Sequence, residues 1–116
     1  MKHLFEYHSY KTFLKDWLSE GAAKGSVTAL AKAAGCDRTY FSQVLNSKVQ
    51  LTSDHALGVA EHLGLSEVEQ DFFLYLVLFD RAANQQAKKI LKKKMEKLVK
   101  ENTARSEEHT SELQSH

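Results

Sequence analysis

The sequence predicts an all-α fold, because three of its features favour helices over strands. The chain of 116 residues has 42% apolar residues, five glycines and no proline, so it has few of the turn residues that a β-sandwich needs. Apolar residues recur at helical spacing along most of the chain. Residues typical of helix N-caps, and glycines, separate these stretches. We therefore expect one compact domain of five or six helices.

The first helix is predicted to begin after Ser9, a residue type that caps helices well. Its apolar side chains follow the i, i+3, i+4, i+7, i+8 pattern of an amphipathic helix: Tyr10, Phe13, Leu14, Trp17 and Leu18. We expect this stripe to cover the core rather than to stack on a ligand. Residues 1–8 are expected to be a loose lead, and a loop is predicted between Gly21 and Gly25.

Residues 26–46, SVTALAKAAGCDRTYFSQVLN, have the pattern of a helix, a sharp turn and a second helix. The small side chains of Ala31 and Ala34 would let another helix cross closely. Gly35 stands where a helix C-terminus needs a left-handed residue. Cys36 is small enough to fill the corner, and Asp37 is a good N-cap for the second helix.

The second of these helices is predicted to turn its polar side chains outward. Four residues face the core: Tyr40, Phe41, Val44 and Leu45. Five face solvent and are the candidate base-reading residues: Arg38, Thr39, Ser42, Gln43 and Asn46. Arg can fork onto guanine, Gln and Asn onto adenine, and Ser or Thr onto either base. This is the layout of a recognition helix in a DNA major groove. Ser26, Lys32 and Lys48 are candidate phosphate contacts.

Two further helices are predicted between residues 52 and 79. Thr52 is expected to cap the first, and Gly64 to end it; its apolar face is predicted to be Ala56, Leu57, Ala60 and Leu63. The motif Ser66-x-x-Glu69 is a capping box that begins a helix over 67–79. That helix is apolar almost all round, so it needs cover on several sides. We expect the cover to be a homodimer partner, the last helix, or a missing C-terminal domain.

The last helix is predicted from residue 84 to about residue 100, with an apolar face and a lysine-rich face. The apolar face is Ala87, Ile90, Leu91, Met95 and Leu98. The lysines are Lys88, Lys89, Lys92, Lys93, Lys94, Lys97 and Lys100. The lysine-rich face is interpreted as a solvated surface, with phosphate or membrane-surface contact as the alternative.

Residues 105–116, RSEEHTSELQSH, resemble the in-frame translation of a sequencing adapter and have no helical apolar period. We expect them to be a non-native scar. Without them, 15 Lys and Arg stand against 12 Asp and Glu, instead of 16 against 15 for the whole chain. We expect three parts in the chain: a DNA-binding domain over 1–83, a lysine-rich amphipathic helix over 84–104, and the scar over 105–116.

Residues 26–65 resemble the bacterial helix-turn-helix domain of the phage-repressor (Xre/Cro) type. The matching residues are Leu30, Ala31, Ala34, Gly35, Phe41, Val44, Leu51, Ala60, Leu63 and Leu65. The chain departs from that family at Leu45 and Ser47, where Glu and Gly are common, and at Phe41, where a smaller aliphatic is usual. More narrowly, the runs LFEYHSYKTFLKDWL and LGLSEVEQDFFLYLVLFDRA resemble the start of a longer bacterial family of uncharacterised helix-turn-helix regulators. The resemblance implies a transcriptional regulator that binds specific double-stranded DNA, and a C-terminal domain missing from this chain.

Other chemistry finds little support in the sequence. The chain lacks a P-loop, G-x-S-x-G, H-E-x-x-H and a glycine-rich nucleotide fingerprint, so we expect neither an enzyme nor a cofactor. His55 and His62 lie seven apart, too far along a helix to share a metal ion in the usual i, i+4 pair. One cysteine, no signal peptide and no span of roughly 20 apolar residues favour a cytoplasmic protein without a membrane segment. The main alternative function is a protein-interaction module on a helix-turn-helix scaffold.

Overall fold

Six α-helices and one short 3₁₀ helix make up the part of the chain that the structure describes. The structure is a computed structural model that describes residues 3–21 and 26–111, with side chains over 3–20 and 27–102. The 3₁₀ helix is Leu4–Glu6, and the α-helices are α1 Tyr10–Gly21, α2 Ser26–Ala34, α3 Arg38–Asn46, α4 Ser53–His62, α5 Glu67–Arg81 and α6 Gln85–Ser111. These ranges contain no strand, and the predicted all-α fold class is confirmed.

One hydrophobic core joins α1 through α5 and takes one buried side chain, Met95, from the part of α6 whose side chains are described. At its centre the ring of Phe73 on α5 meets two rings of α1 edge to face, Tyr10 at 6.2 Å and Phe13 at 6.1 Å between centroids. Edge-to-face pairs of this kind add to the stabilisation from burial. The predicted stripe of α1 is thus part of the core, with Tyr10, Phe13 and Leu14 buried and Trp17 half-buried.

α2 and α4 cross at a point where neither helix has a large side chain. A Cβ atom added to Gly58 of α4 would lie 2.1 Å from the carbonyl oxygen of Ala33 and 3.4 Å from the Cα of Ala34. The two backbones therefore approach too closely to admit a side chain at position 58. The sequence pattern indicated a close crossing on Ala31 and Ala34, and the structure shows that Gly58 supplies the other side.

The N-terminal segment is ordered against the core, so the expectation of a loose lead is wrong for residues 3–8. Leu4 is 3% exposed and Tyr7 is 5% exposed. The ring of Phe5 meets Phe72 of α5 at 5.0 Å, and the Tyr7 hydroxyl donates to Asp16 at 2.7 Å. Burial of these apolar residues stabilises the segment. The segment is too short to show a helical period, so the sequence pattern did not reveal its position.

The buried faces of α4 and α6 differ from the predicted ones. Leu57 is predicted on the inner face of α4 but is 48% exposed, because Gly58 and Val59 face the neighbouring helices instead. Ile90 is predicted on the inner face of α6 but is 46% exposed, whereas Met95 is buried. α6 also continues to Ser111, beyond the predicted end near residue 100, since residues 101–111 contain neither glycine nor proline.

The apolar helix α5 is covered within the chain itself. α1, α4, α6 and the 3₁₀ helix all pack against it, and Phe72, Phe73, Leu76 and Val77 are buried. Docking of the last helix, one of the three kinds of cover expected, is therefore what the structure shows. A dimer or interdomain contact through 67–79 stays a prediction.

Capping interactions fix where α4 and α5 begin. The predicted capping box of α5 is confirmed, because Glu69 N donates to Ser66 Oγ at 3.2 Å and Ser66 N donates to Glu69 Oε1 at 2.8 Å. A second box caps α4: His55 N donates to Thr52 Oγ1, and Thr52 N donates to His55 Nδ1, both at 3.2 Å. The sequence did not reveal this role of His55, because a capping box usually has Glu or Gln at that position.

Candidate nucleic-acid interface

The turn between α2 and α3 follows the sequence prediction. Gly35 has φ +90°, in the left-handed region, where a side chain would be strained. The amides of Gly35 and Cys36 both donate to the Ala31 carbonyl, at 2.9 and 3.0 Å, which closes the C-terminus of α2. Asp37 then accepts a 2.7 Å hydrogen bond from Tyr40 N and caps α3. Together these contacts fix the angle at which α3 leaves the corner.

Cys36 fills the corner and packs half-buried against the core. Burial raises the pKa of its thiol, and the nearby Asp37 carboxylate raises it further. Since the thiolate is the reactive form of cysteine, these surroundings favour the packing role that the sequence indicated.

α3 separates its two faces as predicted. Phe41, Val44 and Leu45 are buried, and Tyr40 is half-buried. The five candidate base-reading residues are all exposed: Arg38, Thr39, Ser42, Gln43 and Asn46. α3 has no acidic residue in its first turn, and the Asp37 carboxylate is engaged at the cap. The solvent face of α3 from Arg38 to Asn46 is therefore polar and has no acidic side chain of its own, and the Asp37 carboxylate at the cap is an adjoining negative charge.

Four of these side chains border one cleft: Arg38, Thr39, Ser42 and Gln43. Val27, in the first turn of α2, also borders it. The N-terminus of α2 thus adjoins the outward face of α3. Asn46 lies one turn further along, and its Nδ2 donates to the Ser42 carbonyl at 3.0 Å, so its side chain folds back along the helix.

The candidate phosphate contacts lie at three places around α3. Lys32 is exposed in the last turn of α2, and Lys48 is exposed in the loop between α3 and α4. Neither borders the cleft. Ser26 begins α2, and its side chain lies outside the described residues.

Comparison of the chain with protein-family models, curated proteins and solved structures gives no match. Within the described ranges, 3–21 and 26–111, no helix is both long and apolar enough to cross a membrane. Over the same residues, His, Cys, Asp and Glu side chains form no group of three that could hold a metal ion.

The loop that carries Lys48 is held by hydrogen bonds from distant parts of the chain. The Tyr10 hydroxyl donates to Gln50 Oε1 at 2.6 Å and accepts from Leu51 N at 3.2 Å. Lys11 Nζ of α1 donates to the carbonyls of Ser47 and Val49, at 2.6 and 2.8 Å. These contacts join the start of α1 to four of the five residues from 47 to 51.

Two more donors complete this attachment. The Tyr40 hydroxyl donates to the Gln50 carbonyl at 2.6 Å, and Arg81 Nη1 of α5 donates to the Leu51 carbonyl at 2.9 Å. Burial lowers the pKa of Lys11. The nearby Asp80 carboxylate opposes this shift, and the neighbouring charge of Lys15 adds to it. Lys48 therefore extends from a loop whose backbone is fixed on three helices, α1, α3 and α5.

The phenol of Tyr10 makes the free energy of unfolding depend on pH. Its ring is fully buried, and burial, with a smaller effect of Asp80, raises the pKa of its phenol to about 12, although the hydrogen bond from Leu51 N acts the other way. Between pH 10 and 12 the unfolded chain loses this proton while the folded chain keeps it, so the free energy of unfolding falls as pH rises. A pKa difference of about two corresponds to roughly 2–3 kcal/mol.

We predict that Tyr10→Phe lowers the free energy of unfolding by about 1–3 kcal/mol at neutral pH, because the buried Leu51 amide loses its acceptor. The gap between the variant and the wild type should narrow from pH 10 to 12. Urea unfolding followed by circular dichroism across this range measures both effects. Tyr75→Phe, which leaves Tyr10 in place, is the control. Its free energy of unfolding should fall between pH 10 and 12 as that of the wild type does. A gap that stays constant with pH would contradict the prediction.

Proposed function

We propose that this domain binds double-stranded DNA through α3, which enters the major groove, and that it regulates transcription in a bacterial cytoplasm. The observation that carries the proposal is the outward face of α3. It presents five exposed polar side chains and no acidic one, on the second helix of a helix-turn-helix. Such a helix reads base edges in proteins of the phage-repressor type, which this chain resembles. The domain acts by binding and catalyses no reaction.

In this proposal the polar residues of α3 divide the recognition of bases. Arg38, in the first turn, donates two hydrogen bonds to a guanine, and Gln43 pairs with an adenine. Thr39 and Ser42 lie between them on the same cleft and contact either base or the thymine methyl group. Asn46 contacts an adenine only after releasing the Ser42 carbonyl, so we expect it to contribute least.

Phosphate contacts orient the helix in the groove. The N-terminus of α2 adjoins the outward face of α3, because Val27 in its first turn borders the same cleft. The backbone amides at the start of a helix attract phosphate. Ser26, the first residue of α2, is the phosphate contact that the sequence predicts there. Lys48 extends from a loop fixed by hydrogen bonds, which reduces the entropy lost on binding, and Lys32 adds charge from α2. We expect two copies to bind half-sites one helical turn apart.

The protein-interaction alternative would use the apolar residues of α5. Most of those side chains are covered by other helices of the same chain, and Phe72, Phe73, Leu76 and Val77 are buried. These buried side chains offer no broad exposed apolar area on which a protein partner could dock without rearrangement of the helices. We prefer the DNA-binding proposal because the polar face of α3 is exposed, whereas the apolar residues of α5 are mostly covered.

The proposal predicts that Lys48→Gln weakens binding to all duplex sequences alike. Removing one lysine that neutralises a phosphate should reduce the slope of log K against log salt concentration by about one unit. Fluorescence anisotropy with a labelled random duplex at several salt concentrations measures the slope. Anionic vesicles at the same concentrations test the membrane-surface alternative for the lysine-rich helix.

Lys97→Gln is the matched control for this experiment. Lys97 is exposed on α6 and pairs with Glu101 at 4.0 Å, and α6 packs against α5, whereas α3 packs against α1 and α2. We expect the control to leave the salt slope unchanged. An equal reduction by Lys97→Gln, or wild-type binding to vesicles but not to DNA, would contradict the proposed interface.

A further inference from the structure

A second concave surface lies away from α3, between the N-terminal segment, α5 and α6. It has a volume of about 450 Å³, within the roughly 300–1,000 Å³ typical of small-molecule sites. Its apolar lining comes from all three elements: Phe5, Tyr7, Phe72, Leu76, Met95 and Val99. We call this surface the apolar groove. No part of the proposed DNA-binding mechanism uses it.

The N-terminal wall of the groove is held in place by specific contacts. Phe5 lies with its ring edge-on to Phe72 at 5.0 Å between centroids, and its backbone N donates to His3 Nδ1 at 3.2 Å. The other nitrogen of that imidazole, Nε2, lies 3.2 Å from Glu69 Oε2 at the start of α5. This wall is therefore tied to α5 by polar contacts as well as by ring packing.

The opposite wall is α6, which is fixed to the end of α5. Lys88 Nζ donates to the Phe79 carbonyl at 3.0 Å and lies 4.6 Å from the centroid of the Phe79 ring. Asn84 caps α6 by accepting from Ala87 N at 2.7 Å. Lys88 is thus engaged in joining the two helices, and the groove has two preformed walls.

The charges at the edge of the groove favour an anion. His8, Lys92, Glu96 and Lys100 line it, and all four are exposed. Two lysines stand against one glutamate, so the edge carries a net positive charge. Lys92 and Lys100 are eight residues apart on α6, so the cationic edge extends about 12 Å along the groove at 1.5 Å per residue.

We propose that the apolar groove binds a medium-chain fatty carboxylate. The apolar lining takes the alkyl chain, extended along the α6 wall, and the ammonium group of Lys92 or of Lys100, one toward each end of that wall, meets the carboxylate at the end of the chain. An ammonium beside a carboxylate makes a charge-assisted hydrogen bond, which a neutral alcohol of the same length cannot reproduce. Glu96 opposes this charge and weakens the site.

The test is isothermal titration calorimetry of the full chain with octanoate, decanoate and dodecanoate below their micelle concentrations, without DNA. The outcome is therefore independent of the proposed DNA binding. Each methylene that enters the groove should tighten binding about four-fold, until the groove is filled. Lys92→Gln with Lys100→Gln should weaken decanoate at least ten-fold and leave decanol unchanged, and Glu96→Gln should tighten decanoate.

Lys93→Gln with Lys97→Gln removes the same charge from α6 outside the groove and is the matched control. Met95 lines the groove, and Met95→Glu should abolish binding; circular dichroism checks that this variant folds. The proposal is overturned if no carboxylate binds, if the control pair weakens decanoate as much as the groove pair does, or if decanol binds as tightly as decanoate. It is also overturned if sedimentation shows a dimer that Met95→Glu dissociates and decanoate does not, since a second copy would then occupy the groove.

Discussion

Replacing Gly58 by alanine is expected to lower the free energy of unfolding by about 3 kcal/mol, at the upper end of the range for overpacked sites. The added Cβ atom would lie 2.1 Å from the carbonyl oxygen of Ala33, far inside van der Waals contact. The atom it meets belongs to the backbone of α2, so no side chain can rotate away. α2 and α4 would have to move apart, and the packing between them would loosen.

The expected sign is opposite to that of an ordinary glycine in a helix. In a helix interior, Gly→Ala usually stabilises by roughly 0.5–1 kcal/mol, because alanine restricts the unfolded chain and favours helical geometry. At Gly58 the steric cost exceeds that gain several-fold. For a domain whose total stability is about 5–15 kcal/mol, the loss is large enough to measure directly.

Urea unfolding of Gly58→Ala against the wild type gives the difference in free energy. Leu57→Ala is the matched control, since it lies next in sequence on the same helix but is exposed, and we expect it to change stability by less than about 1 kcal/mol. An unchanged or raised stability for Gly58→Ala would mean that α2 and α4 do not cross as closely as described.

The sequence predicted well those features that local signals specify. Gly35, Asp37 and the capping pair Ser66 and Glu69 each act on residues within about five positions, through backbone preferences that depend little on the rest of the fold. The separation of α3 into a buried and an exposed face follows from its helical period. For these reasons the candidate base-reading surface could be given residue by residue.

Features that depend on contacts between distant segments were not predictable in this way. Tyr10 binds Gln50 across a separation of 40 positions in the sequence, and Arg81 binds Leu51 across a separation of 30. Their identities fit an amphipathic helix equally well without that role. Similarly, Leu57 is predicted in the core because leucine is apolar, but α4 turns the neighbouring Gly58 toward α2 and leaves Leu57 exposed. Tertiary packing decided these positions.

The largest functional effect is expected from the double variant Arg38→Ala with Gln43→Ala. Removal of two bidentate base contacts, at about 1–3 kcal/mol each, should weaken binding to the preferred duplex by roughly 2–6 kcal/mol, or at least about thirty-fold. Both side chains are exposed, and alanine favours the helix, so the variant should fold. The preferred duplex is first selected from a random pool with the wild-type protein.

Anisotropy with the selected duplex and with a scrambled one then separates specific from general binding. We expect the double variant to bind the two duplexes with much more similar affinities than the wild type does. The phosphate contacts of Lys32 and Lys48 hold either duplex, and only the weaker base contacts of α3 remain. Gln86→Ala with Lys93→Ala, two exposed residues of α6, is the matched control and should retain the preference.

The pattern of binding in these variants distinguishes the two functions that a helix-turn-helix scaffold can serve. If α3 reads bases, the double variant loses most of its discrimination between duplexes but keeps the salt dependence of the remaining phosphate contacts. If the domain is instead a protein-interaction module, Arg38 and Gln43 are replaceable and the wild type selects no sequence from the pool. A wild-type preference that survives the double variant would show that bases are read elsewhere, and would remove α3 from the mechanism.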